Sequence, residues 1–415
     1  MTSSLLARLC LIALLLQLSC SGAQRTANPH RNSAFTHNDI TMSNNTFAFE
    51  LFSALERNTT ENLVLSPFSI STAMAMVYPG SAGETARQFS QTMHFNPAVN
   101  NFTPEFAQWA KQIEAIGAER KQFSVANALW PHKGYPFHQE YIELINTWFR
   151  SAFFPVDYLG DREAIRQKIN QWVAAHTNDL IRDLIQPGVL VEDTRLVLVN
   201  AIYFLSAWQT AFDKQATHQA SFFIEPGRSV QTSMMYMKHP LPFYQGRDFQ
   251  LLELPYEGDD FSMLVLLPSE GNTLSSILEK WDGPLWDNEV NKLSMQEVEV
   301  FFPSFSIRSR LDLENTLIAM GMPDAFSNKA DFSAMTPLND LKIDKVIHQA
   351  FIEVKEEGTE AAASTAVVMI RKTAIADPVS VPVFRADRPF LYVIRERSTN
   401  AILFMGKTQN PTLQP

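Results

Sequence analysis

The residues best placed to do chemistry by type and spacing lie in one segment, Lys355 to Pro378, which reads KEEGTEAAASTAVVMIRKTAIADP and matches nothing else in the chain. Taken alone, Thr359 to Ala366 reads as an alanine-rich helix with a threonine cap, because alanine has the highest helix propensity. Against that, Ser364, Thr365, Val367, Val368 and Ile370 favour extended backbone, and a long connection between strands in a compact chain usually carries function. Written with period two, Thr359, Ala361, Ala363, Thr365, Val367 and Met369 form an uncharged face of mostly small groups. That face can be buried under a sheet while Glu360 stays in water, so the segment is equally a loop able to become a strand.

Ordinary catalytic patterns are missing. Gly80-Ser81-Ala82-Gly83 has the wrong spacing for a nucleophile elbow. No metalloprotease His-Glu-x-x-His, phosphate-binding loop, EF-hand or dinucleotide glycine motif is present, and the nine histidines do not pair at ligand spacing. His348, in Ile347-His348-Gln349, reads as a satisfied structural histidine beside an apolar strand. No catalytic residue, metal or cofactor is expected.

The two cysteines, Cys10 and Cys20, fall within the first 23 residues, where a polar start carrying Arg8 precedes the apolar run Leu9 to Leu18 and Ser21-Gly22-Ala23. Residues 1–23 are read as a signal peptide, with a retained membrane anchor or a lipid on Cys20 as the alternatives; the apolar run falls short of the roughly 20 residues that span a bilayer. The expected product is secreted, has no cysteine, and so has neither a disulfide framework nor a thiol nucleophile. Loss of Arg8 shifts the formal charge from −10 to −11, which argues against nucleic acid and anionic membrane as partners. Sequons at Asn44, Asn58 and Asn101 mark candidate glycosylation sites.

The elements that must position the segment follow from periodicity. Residues 24–40 read as a flexible leader, with folded structure expected from about Thr41 to residue 415. Apolar spacing predicts helices from Asn44 to Leu55, Ser69 to Val77, Phe106 to Ala115, Glu140 to Ala152 and Arg162 to Ile185. Strands are predicted at Leu196–Phe204, Gln250–Leu254, Phe261–Leu267, Glu297–Phe302, Ala350–Val354 and Phe390–Ile394, the last forming a hairpin with Ala401–Met405. Helices early and strands late, without a linker or repeat, indicate one large α+β domain.

At residue level the chain resembles the serpin family of serine protease inhibitors. Gly358-Thr359-Glu360-Ala361-Ala362-Ala363-Ser364-Thr365 matches the hinge of inhibitory members. Further matches over about residues 43 to 411 are Asn62 to Ile70, Ile169 to Val173, Leu196 to Phe204, Leu254-Pro255-Tyr256 and Phe384 to Phe390. Leu205-Ser206 and Ser304 depart from the family pattern, and neither departure is expected to touch the hinge. The resemblance implies a serpin fold with three β-sheets, about eight or nine helices and an exposed reactive-centre loop over about 357–382. It implies a monomeric suicide-substrate inhibitor: a protease acylates itself on the loop, and the loop from Glu357 onward inserts into the main sheet. Ser66, Ser69, Asn200 and His348 fall where the family's buried polar cluster controls sheet opening, with Trp208 near the first insertion point; for the two serines, ordinary helix capping is the alternative. By the family's usual offset from the hinge glycine the scissile bond is Lys372-Thr373, with Arg371 as the alternative, which suits a trypsin-like serine endopeptidase; an elastase-like cut near Val368 or Ile370 is the minor alternative. Arg120-Lys121 is only a pair, so heparin-type activation is not expected. A non-inhibitory carrier, chaperone or storage role is the competing class.

Overall fold

Ser66 and Pro67 show how sequence sets the first central element. Pro67 occupies the first helical position, where its missing N–H costs nothing, and the Ser66 side chain accepts from Ser69 N–H at 3.1 Å, so the helix Pro67–Val77 starts there. All of its residues are buried. In the computed structural model the described residues are 37–96, 101–120, 123–149, 152–359 and 381–414. Among them are nine α-helices: His37–Glu56, Pro67–Val77, Gly83–Met93, Phe102–Arg120, Gln139–Trp148, Arg162–His176, Leu274–Leu278, Gly283–Val290 and Glu314–Met320.

Three boundaries correct the sequence expectation. The first helix begins at His37, ahead of Thr41, because Ile40 and Thr41 already sit in the core. The helix expected to reach Ala152 stops at Trp148. The helix expected to run to Ile185 stops at His176, since Asn178 and Asp179 take left-handed backbone (φ 47° and 62°), a conformation that asparagine and aspartate tolerate better than most residues.

The strands are β1 (Leu63–Leu65), β2 (Phe123–Pro131), β3 (Leu196–Phe204), β4 (Ser206–Ala207), β5 (His218–Glu225), β6 (Arg228–Gln245), β7 (Phe249–Pro255), β8 (Phe261–Pro268), β9 (Ser294–Pro303), β10 (Phe305–Asp312), β11 (Lys345–Lys355), β12 (Gly358–Thr359), β13 (Val383–Arg385), β14 (Phe390–Glu396) and β15 (Ile402–Thr408). β14 and β15 form the expected antiparallel hairpin. Among the described residues, pairing groups the strands into a nine-stranded and a six-stranded sheet. In the nine-stranded sheet, the β1-β15-β14-β8-β7 part meets the β6-β9-β13 part only through Phe243, Tyr244 and Gln245 of the long β6, so the three layers expected are present with two of them sharing a strand.

The six-stranded sheet is the one that matters for function. β3 and β11 run parallel at its centre, Val197 to Tyr203 against Lys345 to Phe351, with β2 beyond β3 and β10 beyond β11. Every residue of β3 is buried, as its unbroken apolar run requires for a strand covered on both faces. One face packs into the main core through Leu198, Ile202 and Phe204; the other packs Val197, Val199 and Ala201 under the helix Arg162–His176 and the segment after it, with Ile181, Leu184 and Ile185.

Candidate functional site

Two groups of side chains lie on the seam between β3 and β11. The first is polar and buried in the middle of the sheet. Register places Asn127 of β2 opposite Asn200 of β3, and Asn200 opposite His348 of β11, so three polar side chains form one rung facing the start of the helix Pro67–Val77. Ser66 N–H donates to His348 Nε2 at 3.1 Å, which makes Nε2 an acceptor and puts the proton of a neutral ring on Nδ1, where it donates to Asn200 Oδ1. Asn200 Nδ2 donates to Ser69 Oγ at 2.6 Å, Ser69 Oγ donates to Asn127 Oδ1 at 3.1 Å, and Asn127 Nδ2 returns a bond to Ser69 O at 3.1 Å. Ser66 Oγ reaches across to Leu403 O at 2.6 Å. Burial lowers the His348 pKa to about 3, so the ring is neutral at physiological pH. The bond between Asn200 and His348 is the one that crosses the seam.

The second group sits where β3 ends. β12 lies between β11 and β4, with Val354 opposite Thr359 on one side and Ser206 opposite Thr359 on the other. Gly358 fits only because it lacks a side chain: an added Cβ would come within 2.2 Å of Ser206 O and 2.5 Å of Ala207 Cα. Thr359 is fully buried and its Oγ1 shares a 2.7 Å hydrogen bond with the Tyr256 hydroxyl. Tyr256 stacks on Trp208 with ring centres 4.6 Å apart, and Trp208 in turn holds the turn before the hinge, donating from Nε1 to Lys355 O and from its backbone to Glu357 O, both at 2.9 Å. Phe212 N–H donates to Glu356 O, Thr217 Oγ1 donates to the Glu356 carboxylate at 2.8 Å, and Lys214 pairs with Glu357.

Ser66, Ser69, Asn200 and His348 therefore meet in one cluster, Ser66 serving as helix cap and cluster member together. Trp208 stands 2.9 Å from Glu357 at the hinge. Three expectations are corrected. Gly358 and Thr359 are strand residues already inside the sheet rather than the start of an exposed loop. Ser206, one of the departures from family pattern, pairs directly with Thr359, so that departure does touch the hinge. Asn44 has no room for a glycan: it is buried, and its Nδ2 donates to Ile402 O at 3.0 Å. Asn58 and Asn101 are exposed. Glu360, Ala361, Ala362, Ala363, Ser364 and Thr365, together with Arg371, Lys372 and Thr373, lie outside the described residues. Sequence reasoning missed Asn127, a lone asparagine in an apolar strand, and gave Tyr256 no role beyond its motif.

Comparison with known proteins agrees with this geometry. The family model described as "Serpin (serine protease inhibitor)" matches residues 42–411. The leukocyte elastase inhibitor of Sus scrofa is 37% identical over 381 residues, covering 90% of this chain and 99% of its own. Among solved structures, uncleaved ovalbumin has a TM-score of 0.78 at 28% identity, covering 90% of this chain and all of its own, and human thyroxine-binding globulin complexed with its ligand has 0.80 at 29%, covering 91% and all of its own. With its main sheet, hinge strand and buried polar rung laid out as above and the family model covering nearly all of the described residues, the chain belongs to the serpin family.

Proposed function

We propose that the protein is a secreted, monomeric suicide-substrate inhibitor of trypsin-like serine proteases, attacked at Lys372-Thr373. The observation that carries this reading is β12: Gly358 and Thr359 already occupy the top of the β3–β11 seam, antiparallel to both neighbours. A protease whose serine attacks the loop forms an acyl-enzyme with its own catalytic groups, and the inhibitor contributes none. Once the bond is cut, the chain beyond Thr359 is free to continue β12 downward. That exchange replaces one parallel ladder, Val197–Tyr203 against Lys345–Phe351, by two antiparallel ones, which are somewhat more stable per residue. Thr359 faces Tyr256 and the main core, so by alternation Ala361, Ala363 and Thr365 follow it onto that face, where small uncharged groups enter at least cost. The advancing strand must part Asn200 from His348, so the polar rung acts as the lock. Insertion before deacylation traps the enzyme; insertion after it leaves a spent substrate.

Arg371 and Lys372 suit the acidic specificity pocket of trypsin-like enzymes. The pattern of residues 1–23 supports secretion, and exposure supports glycans on Asn58 and Asn101. The test is to incubate the protein with trypsin, look for a complex that survives denaturing electrophoresis, and sequence the released C-terminal peptide. A peptide beginning at Thr373 is expected; one beginning at Lys372, from a cut after Arg371, or at Arg371, from a cut after Ile370, overturns the bond assignment, and cleavage without complex overturns inhibition. The likeness to thyroxine-binding globulin supports a carrier reading, but non-inhibitory members typically lose the small-residue hinge, which this chain keeps from Gly358 to Thr365.

A further inference from the structure

Insertion needs more than an open rung, because the front of the seam is crossed by the segment that leaves the helix Arg162–His176. This strap, residues 177–190, is tied on both sides of the seam in a single rung of the sheet. Tyr203 of β3, Phe351 of β11 and Arg308 of β10 are register neighbours. Asn178 Nδ2 donates to the Tyr203 hydroxyl at 2.5 Å, while Arg308, lying over the Phe351 ring at 4.7 Å, donates from Nη1 to Leu180 O at 2.8 Å. Two positions further along, Arg310 Nε donates to Leu184 O at 2.7 Å.

A new strand between β3 and β11 moves Tyr203 and Arg308 apart by one strand spacing, about 4.8 Å. Asn178 and Leu180 are only two residues apart, a span of at most about 7 Å, and Asn178 and Asp179 are already committed to left-handed backbone, so the strap cannot follow both sides at once. It stays with β2 and β3: the helix and strap share their apolar cluster with Ala126, Ala128 and Trp130 of β2 and Val197, Val199 and Ala201 of β3, but with only Ile347 of β11 and no residue of β10. Ser124 Oγ of β2 also donates to His176 O at 2.8 Å. The bonds that give way are those to β10.

We propose that Arg308 and Arg310 are positioning residues forming the releasable side of a clasp that holds the strap across the β3–β11 seam and so sets the rate at which a strand enters it. The clasp rests on the insertion reading given above. It is tested on the intact full chain with a synthetic peptide of sequence TEAAASTAVVMIR, copied from residues 359–371, whose uptake is followed on native gels. Arg308→Ala/Arg310→Ala takes up the peptide about fivefold faster than the parent chain, the equivalent of one net hydrogen bond. The same variant melts lower than the parent when intact and at the parent's temperature once the loop has been cut, because the clasp no longer exists after insertion; a purely structural role would lower both alike. If the double variant does not fold, Arg310→Gln alone still gives about a twofold acceleration. Unchanged uptake by a folded variant, or an equal drop in both melting temperatures, overturns the clasp alone. A parent chain that neither takes up peptide nor gains stability on cleavage overturns the insertion reading, and the clasp with it.

Discussion

Thr359, Gly358 and His348 each do a job that a single substitution removes. An arginine at position 359 would have to bury an unpaired charge beside Tyr256, at a cost of several kcal/mol. Thr359→Arg is therefore expected to be cut by trypsin as an ordinary substrate with no covalent complex, and a complex at full yield would contradict the role given to the hinge. His348 has a folded pKa lowered from 6.5 to about 3, so the unfolded chain binds the proton more tightly. Its contribution to stability is complete above about pH 6.5 and is lost at about 1.4 kcal/mol per pH unit as pH falls toward 3. Protonation would also set a second N–H against Ser66 N–H. Replacing His348 by glutamine should flatten urea-unfolding stability over that range, an unchanged slope counting against the histidine. At this scale Ser66, Ser69 and Asn200 were legible because they lie in recognisable motifs, and Trp208 and His348 only through the family resemblance. Asn127 was not, since its partners Ser69 and Asn200 are distant in the chain and nothing local marks it.

Among the elements, β12 is the one whose placement carries the proposed function, and it is only two residues long. Its lateral pairing depends on Gly358 for close approach and on the Tyr256 hydroxyl as hydrogen-bond partner of the Thr359 side chain. Tyr256→Phe removes that hydroxyl alone and leaves the Thr359 hydroxyl buried without it, which should cost about 1–3 kcal/mol. Amide exchange at Gly358 and Thr359 should speed up while β3 and β11 stay protected; unchanged exchange would show that backbone pairing alone holds the hinge. Gly358→Ala should act in the same direction by pushing the hinge away from Ser206. About half of the strands were legible from their apolar runs, β3 to the residue. β6 was not, because Pro240 and Pro242 interrupt its pattern; register places them opposite Glu297 and Met295 on β9. β12 was hidden too, since two residues before an alanine-rich run carry no period, and the strap after His176 read as helix because its buried Ile181, Leu184 and Ile185 repeat at helical spacing while backbone geometry at Asn178 and Asp179 ends the helix.

Across the whole molecule, the low charge fraction of 19% becomes a core that reaches both faces of the six-stranded sheet. The α+β reading and the single large domain were legible from the order of elements. Which strands would be neighbours was not, because the whole of residues 205–344 separates β3 from β11 along the chain and only the family resemblance pointed to their pairing. The native sheet closes with a parallel ladder at its centre; on the proposed reading, insertion would replace that ladder by two antiparallel ones, so the uncut chain would lie above its lowest free energy. The measurement that tests this most directly is the thermal transition of the protein before and after a single cut in the loop beyond Thr359. Strand insertion predicts a sharp rise in melting temperature on cleavage, with the hydrogen bond between Asn200 and His348 broken and new amide protection along β3 and β11. A cleaved chain that melts at the temperature of the intact one would contradict it.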